Sequence, residues 1–250
     1  MTRYGLIGYP LGHSFSAGFF NEKFQREHLD AVYENFEIPD ISMLLEIIND
    51  HQDIQGLNVT IPYKEQVVHL LHSVSEDAKA IGAVNVISIS HKDGNLQLTG
   101  HNTDVIGFRE SIKPLLKPTH QKALILGTGG ASKAVNHALR TMGIETAFVS
   151  RSAGKGSYTY KDLTPEMMQT FPVIVNCSPV GMYPHTDECP PLPYEAMDEG
   201  NLLYDLVYNP EETLFLQKGK HQGATIKNGL EMLHLQAYAA WDIWQQEKEK

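Results

Sequence analysis

Ala123-Leu124-Ile125-Leu126-Gly127-Thr128-Gly129-Gly130-Ala131-Ser132-Lys133-Ala134, continued by Phe148-Val149-Ser150-Arg151, decides the fold class. Residues 123–126 are apolar and suit a buried strand. The residues that follow are small, so the backbone can approach a bulky anionic ligand. Residues 134–142 are rich in helix formers, and Gly143 fits a helix stop. Residues 146–149 read as a second short strand. Strand, glycine turn, helix, strand is the layout of a dinucleotide-binding βαβ unit, in which the helix N-terminus offers N–H groups and a positive dipole end to a pyrophosphate.

The glycine pattern departs from the usual fingerprint at Ser132, where a third glycine or alanine is common. The end of the second strand adds information. An NAD site usually carries an acid there, bonded to the ribose 2′-hydroxyl. This chain has Ser150-Arg151-Ser152 with Lys155 close behind. An acid repels a 2′-phosphate, whereas the planar arginine fork grips it. The stretch therefore predicts NADP rather than NAD; the competing reading makes Arg151 and Lys155 solvated loop charges.

The chain has 250 residues, enough for one large domain or two modest ones, and 42% of them are hydrophobic. Twenty basic and thirty acidic residues give a formal net charge of −10, which argues against a general nucleic-acid surface. Cys177 and Cys189 are the two cysteines, so no disulfide framework is expected and a cytoplasmic location is the simplest. The start of the chain is too short in apolar length for a signal peptide, and no apolar run approaches the ~18 residues of a membrane span. His69 and His72, spaced i,i+3 on an expected helix, lack a completing cysteine or carboxylate cluster, so no metal is expected.

Before the glycine stretch, residues 3–8, 32–37 and 54–59 read as strands. A helix over 17–27, capped by Ser16, and another opened by Asp40 or Ser42 separate them. This alternation predicts a largely parallel sheet covered by helices, with ligand-binding loops at the strand ends. Ser14 and Ser16 lie in the first such loop, where both hydroxyls can meet a carboxylate; read alone, they are equally a turn residue and a helix cap. Asn58 and Thr60 end the third strand. Pro62 is expected in the first turn of a following helix, with Lys64 on that turn; a lone lysine there also reads as a surface charge. Asp93-Gly94 marks a hairpin, and a helix opens near Thr103 or Asp104. After the βαβ unit, residues 173–176 and 202–207 read as strands and 212–221 as a helix. Leu230, Leu233, Ala237, Trp241 and Trp244 recur at helical spacing, with Gln236 beside the apolar stripe.

Taken in order, several stretches together resemble the shikimate dehydrogenase family. They are Gly8-Tyr9-Pro10-Leu11-Gly12-His13-Ser14-Phe15-Ser16, Asn58-Val59-Thr60-Ile61-Pro62-Tyr63-Lys64, Gly82-Ala83-Val84-Asn85 and Asn102-Thr103-Asp104-Val105-Ile106-Gly107. They continue with Gly127-Thr128-Gly129-Gly130-Ala131, Asn176-Cys177-Ser178-Pro179-Val180-Gly181-Met182, Asp205-Leu206-Val207-Tyr208-Asn209-Pro210 and Gly229-Leu230-Glu231-Met232-Leu233-His234-Leu235-Gln236. The resemblance spans nearly the whole chain. It implies an α/β protein of two domains. Residues 1–102 would form a mostly parallel α/β substrate domain and residues 103–228 a Rossmann-like NADP-binding domain. Residues 229–250 would form a helix packing back on the first domain.

The resemblance further implies reversible reduction of 3-dehydroshikimate to shikimate with NADPH, a step toward chorismate and the aromatic amino acids. Ser14 and Ser16 would hold the substrate carboxylate. Thr60, Lys64, Asn85 and Asp104 would meet the ring hydroxyls, Tyr208 and Gln236 would add contacts, and Asn58 would support the cluster. Gly127, Thr128, Gly129, Gly130 and Ala131 would cradle the pyrophosphate, and Ser150, Arg151, Ser152 and Lys155 would take the 2′-phosphate. Leu206 and Gly229 would line the nicotinamide end, and Glu76 matches a position credited with cofactor contact. Lys64 would be the acid–base group, oriented by Asp104. A monomer or homodimer is expected, with a small-molecule substrate and no nucleic-acid or membrane partner.

The chain departs from the family pattern at Ala17, at Val86 and at Ser150-Arg151-Ser152, where Asn-Arg-Thr is usual. The alternatives are a quinate/shikimate dehydrogenase using NAD, which an acid in place of Arg151 would favour, and a non-catalytic dinucleotide-binding regulator, which has no need of both Lys64 and Asp104.

Overall fold

The computed structural model describes residues 1–12, 15–92 and 94–248. Contacts divide the chain into two units, Met1–Thr103 with Ala237–Lys250, and Asp104–Gln236.

In the first unit, β1 (Thr2–Gly8) is buried from Tyr4 onward. It lies between β2 (Ala31–Glu37) and β3 (Ile54–Val59), parallel to both. The crossovers are α1 (Phe15–Arg26) and α2 (Leu44–Asp50). A short β4 (Ser73–Val74) leads to α3 (Glu76–Ile81), which Ser75 caps at its N-terminus and Gly82, at φ 72°, ends in the left-handed region. A hairpin of β5 (Val86–Lys92) and β6 (Asn95–His101) completes a sheet of order β2-β1-β3-β5-β6-β4. β5 is antiparallel to β3 and β6, so the sheet is parallel on one side and mixed on the other. Alternation along β1 splits the core. Ile7 joins Leu57, Val59, Leu44 and Ile48 on one face, while Tyr4 and Leu6 join Phe20, Phe24 and Tyr33 on the other.

The second unit opens with α4 (Asp104–Ile112) and continues through β7 (Lys122–Leu126), α5 (Gly130–Thr141), β8 (Glu145–Ser150), β9 (Tyr158–Thr159), α6 (Pro165–Thr170), β10 (Val173–Asn176), β11 (Leu202–Asp205), α7 (Leu214–His221) and β12 (Thr225–Lys227). Every strand pair in it is parallel, in the order β12-β11-β10-β7-β8-β9. The chain runs outward from β7 through β8 and β9, then returns to β10 on the other side. The reversal between β7 and β10 is the switch point at which a doubly wound sheet opens a crevice. α5 buries Ala134, Val135, Ala138 and Leu139, the stripe expected of a helix lying on a sheet.

The last helix, α8 (Leu230–Lys248), belongs to the second unit as far as Gln236 and to the first from Ala237. Its later turns pack on the first sheet, as expected. Trp244 stacks on Tyr4 at 4.8 Å and donates its indole N–H to the Ile87 carbonyl at 3.1 Å. Gly56 makes room for it, because a Cβ there would collide with the indole ring. Among the described residues, no helix is long and apolar enough to cross a membrane.

Four local expectations are corrected. Pro62 does not open a helix: its peptide bond to Ile61 is cis, and residues 61–65 form turns before a 3-10 helix, Gln66–Leu70. α1 begins at Phe15, so Ser16 lies inside its first turn rather than capping it. The strand expected over residues 202–207, β11, stops at Asp205, whose carboxylate takes the Val207 N–H. His69 ends up in the 3-10 helix while His72 lies beyond it, accepting the Leu98 N–H, so the two do not share a helix.

Candidate active site

In the first unit, the polar residues singled out from sequence gather at the ends of β1, β3 and β5 through backbone bonds. The Thr60 N–H donates to the Ile7 carbonyl and the Tyr9 N–H to the Ile61 carbonyl, which ties the loop after β1 to the turn after β3. Tyr63 anchors that turn from below, donating its hydroxyl to the Ile38 carbonyl at 2.5 Å. The Lys64 carbonyl accepts the Val84 N–H at 2.7 Å, and the Asn85 carbonyl accepts the Val59 N–H at 2.9 Å. Lys64 is thus carried on a turn pinned beside Asn85.

Asn85 is buried and holds Thr103 from both ends of its amide. Its oxygen accepts the Thr103 N–H at 2.7 Å and its NH2 donates to the Thr103 hydroxyl at 3.0 Å. Asp104 is the next residue. Asn58 is also buried; it accepts the Tyr33 hydroxyl at 2.7 Å and donates to the Asn85 carbonyl at 3.3 Å. Burial pushes the Tyr33 phenol far up. Tyr33 was not among the residues marked from sequence, since one tyrosine on an edge strand carries no signal. Ser14 lies outside the described residues. Glu76 is exposed on the first turn of α3.

In the second unit, Gly127 leaves β7 at φ 112°, a conformation suited to glycine, and gives its N–H to the Val149 carbonyl. Thr128 and Gly129 are exposed, and Gly130 and Ala131 are half-buried. A Cβ added at Gly129 would meet nothing within 4 Å. Ser132 has a local job, because its buried hydroxyl donates to the Gly129 carbonyl at 2.6 Å and fixes the entry to α5. The first N–H groups of such a helix have no partner within it. Ser150 ends β8 buried and accepts the Ser152 N–H at 3.2 Å. Arg151, Ser152 and Lys155 are exposed just beyond. Burial raises the Tyr160 phenol, and the Arg151 charge lowers it in part.

At the end of β11, Asp205 has no exposed surface. Its carboxylate accepts from the Asn176 amide at 3.0 Å, the Val207 N–H at 3.0 Å and the Thr213 hydroxyl at 2.6 Å. Burial pushes its carboxyl up to about 6, against the pull of those donors. The same burial, with the Asp205 charge as a smaller cause, raises the Cys177 thiol, which makes it a poor nucleophile. The network fixes the loop that bears Leu206 and Tyr208. The Leu206 N–H donates to the Asn176 carbonyl, and Gly229 packs directly on the Leu206 backbone, where any side chain would clash. Tyr208 is partly exposed, and burial raises its phenol. Gly107 lets α4 approach the start of α8: a Cβ there would stand 3.1 Å from the Gln236 Cβ. Asp104, one turn before Gly107, and Gln236 therefore sit on helices in close contact, both largely buried. No group of three or more histidine, cysteine or acidic side chains among the described residues is placed to hold a metal ion.

Residues 6–87 match the family described as the shikimate dehydrogenase substrate binding domain. The shikimate dehydrogenase (NADP(+)) of Carboxydothermus hydrogenoformans is 37% identical over 256 residues, covering 96% of this chain and 90% of that protein. The crystal structure of the shikimate 5-dehydrogenase of Thermus thermophilus with NADP(H) and shikimate superposes with a TM-score of 0.84 at 31% identity, covering 98% of this chain and 93% of that one. The Listeria monocytogenes shikimate 5-dehydrogenase in complex with shikimate and NAD gives 0.84 at 27% identity, covering 98% and 92%.

Proposed function

The chain belongs to the shikimate dehydrogenase family, and on that premise we propose that it interconverts 3-dehydroshikimate and shikimate with NADP(H) as redox partner. The observation that carries the reading is the hydrogen-bonded frame of Asn58, Asn85 and the Lys64 turn. It supports polar side chains at the carboxyl ends of β1 and β3 and just before the amino end of the antiparallel β5, the side of a sheet on which ligands bind. Residues 1–102 are read as the substrate-binding part and 103–228 as the NADP-binding part.

The residues of the second unit fit a dinucleotide phosphate. Open space above Gly129 and a helix N-terminus after it suit a pyrophosphate held by Gly127, Thr128, Gly129, Gly130 and Ala131. Ser150, Arg151, Ser152 and Lys155 would hold the 2′-phosphate, with Arg151 where an NAD site carries an acid. Leu206 and Gly229 would flank the nicotinamide. When bound, NADPH supplies the hydride that reduces the substrate ketone.

The rest falls to side chains. Ser14 and Ser16 bind the carboxylate, while Thr60, Asn85, Tyr208 and Gln236 orient the ring through its hydroxyls. Lys64, as an ammonium, stabilises the negative charge that develops on the carbonyl oxygen and donates the proton that makes it a hydroxyl. In the reverse direction the neutral amine takes that proton back. Asp104 orients the lysine and shares its hydrogen bonds. Acid–base assistance of this kind contributes about 10²- to 10⁴-fold.

The test is the absorbance of reduced nicotinamide, with shikimate and quinate each offered NADP and then NAD. Turnover is expected with shikimate and NADP. A preference for NAD with quinate, or no turnover in any combination, would refute the assignment.

A further inference from the structure

We propose that Gly156 is a positioning residue for cofactor selection: by seating the returning chain against the end of β8, it fixes the turn that presents Arg151 to a ribose 2′-phosphate. This rests on the reading of Arg151 as the 2′-phosphate contact. β8 and β9 are parallel neighbours, with Val149 beside Tyr158 and Ser150 beside Thr159. Seven residues, 151–157, join them. A parallel pair ordinarily takes a crossover of about a dozen residues or more. So short a connection must double back tightly and then lie on the strand it has left. Both of its ends are pinned. β8 is buried at Val149 and Ser150. At the far end the Asp162 carboxylate accepts the N–H and the hydroxyl of Thr159 at 2.7 and 2.8 Å, and the Tyr158 ring packs edge-on against Phe171 at 6.2 Å.

Two glycines make the return possible. Gly154 turns the chain at φ 81°, in the left-handed region that other residues rarely adopt. Gly156 then comes down on β8. A Cβ there would stand 2.8 Å from the Phe148 carbonyl oxygen, 3.2 Å from the Phe148 carbonyl carbon and 3.3 Å from the Ser150 Cβ. Phe148 is backbone of a paired strand, in register with Ile125 of β7, and does not yield. A side chain at 156 would lift the loop instead. The loop that would lift is the one that holds Arg151. Ser150 and Ser152 bracket that residue, and the Ser152 N–H donates to the Ser150 hydroxyl at 3.2 Å. Gly156 thus bears on Ser150, the same residue whose side chain fixes the backbone around Arg151. The loop carries two cations, Arg151 and Lys155, and no acid, so its charge suits a phosphate dianion. A charge-assisted bond from a planar guanidinium depends on direction as well as distance. Moving the bracket by about an ångström is enough to weaken it. NADH has no 2′-phosphate, so its binding does not respond to that movement.

Isothermal titration of NADPH and of NADH into wild type, Gly156→Ala, Arg151→Ala and the double variant tests this, with thermal midpoints as the check on folding. Gly156→Ala is expected to raise the Kd for NADPH about three- to tenfold, part of the loss of one charge-assisted bond, and to leave the Kd for NADH within about twofold. Because the glycine acts through the arginine, the double variant should match Arg151→Ala rather than the product of the singles. Gly154→Ala, which strains the other glycine of the loop, should show the same NADPH-specific loss and stands in if Gly156→Ala fails to fold. Three results overturn the positioning role alone: wild-type NADPH affinity in folded Gly156→Ala or Gly154→Ala, equal losses for the two cofactors, or losses that multiply in the double variant. Wild-type NADPH affinity in Arg151→Ala removes the 2′-phosphate reading of Arg151, and the positioning role with it. The titrations require no turnover of shikimate, so they are independent of the assay of the proposed reaction.

Discussion

Lys64 and Arg151 are the residues on which the chemistry and the cofactor choice turn. Lys64→Ala is expected to lower kcat by about 10²- to 10⁴-fold with a smaller change in KM, and Asp104→Asn to act in the same sense. A variant at either position with wild-type kcat removes that residue from the acid–base role. Arg151→Ala should weaken NADPH by about ten- to a hundredfold, as expected for losing a charge-assisted hydrogen bond, and leave NADH nearly unchanged. Equal losses for the two cofactors would mean that Arg151 does not read the 2′-phosphate. Arg151 stood out by its place after the second strand of the βαβ unit, and Lys64 by the family resemblance. The bonds of Tyr33 to Asn21 and Asn58 were not legible, because they join residues 12 and 25 apart in the chain and no periodicity encodes such pairings.

At the scale of elements, the sheet and α8 depend on each other. Gly56 lies under the Trp244 indole, and Trp244 in turn caps the carbonyl of Ile87 on β5. Gly56→Ala is expected to cost about 1–3 kcal/mol through overpacking, read as a drop in thermal midpoint of several degrees. An unchanged midpoint would show that the helix shifts freely on the sheet. The helical spacing of Leu230, Leu233, Ala237, Trp241 and Trp244 indicated an apolar stripe in need of a surface. Which strand receives it, and which glycine makes room, follows from sheet order. The glycine turn behaves similarly. Its motif identified the βαβ unit, while the bond from Ser132 to the Gly129 carbonyl explains why a serine is accepted there.

At the scale of the molecule, two buried titratable groups in the second unit give stability opposite slopes with pH. His120 accepts the Lys117 N–H on Nδ1 and faces the Gly200 carbonyl with Nε2, and burial lowers its affinity for a proton. The unfolded chain takes that proton near the ordinary value of about 6.5, so below it the unfolded state binds more protons and stability is lost as pH falls. Asp205 does the reverse. Its folded carboxyl titrates at about 6, above the ordinary 3.8, so between those values stability falls as pH rises. Denaturant unfolding from pH 7 down to 4 separates the two. His120→Asn should lose the decline between pH 7 and its folded value, and Asp205→Asn the opposing limb. Superimposable pH profiles for wild type and either variant would refute that group's contribution.

By itself the sequence determined the α/β class, the βαβ unit, the family and the stretches that carry polar chemistry, because each rests on local composition, helical or strand period, or ordered motifs. The tertiary structure alone decided how Asn58, Asn85, Thr103 and Lys64 are tied together and why Asp205 is buried among three donors. It also showed that Pro62 sits in a turn rather than a helix and that Tyr33, on an edge strand, donates its hydroxyl to Asn58. The physical reason is common to all of them. A buried polar group must find a partner, and that partner is supplied by whichever strand the sheet order brings alongside, however distant it is along the chain.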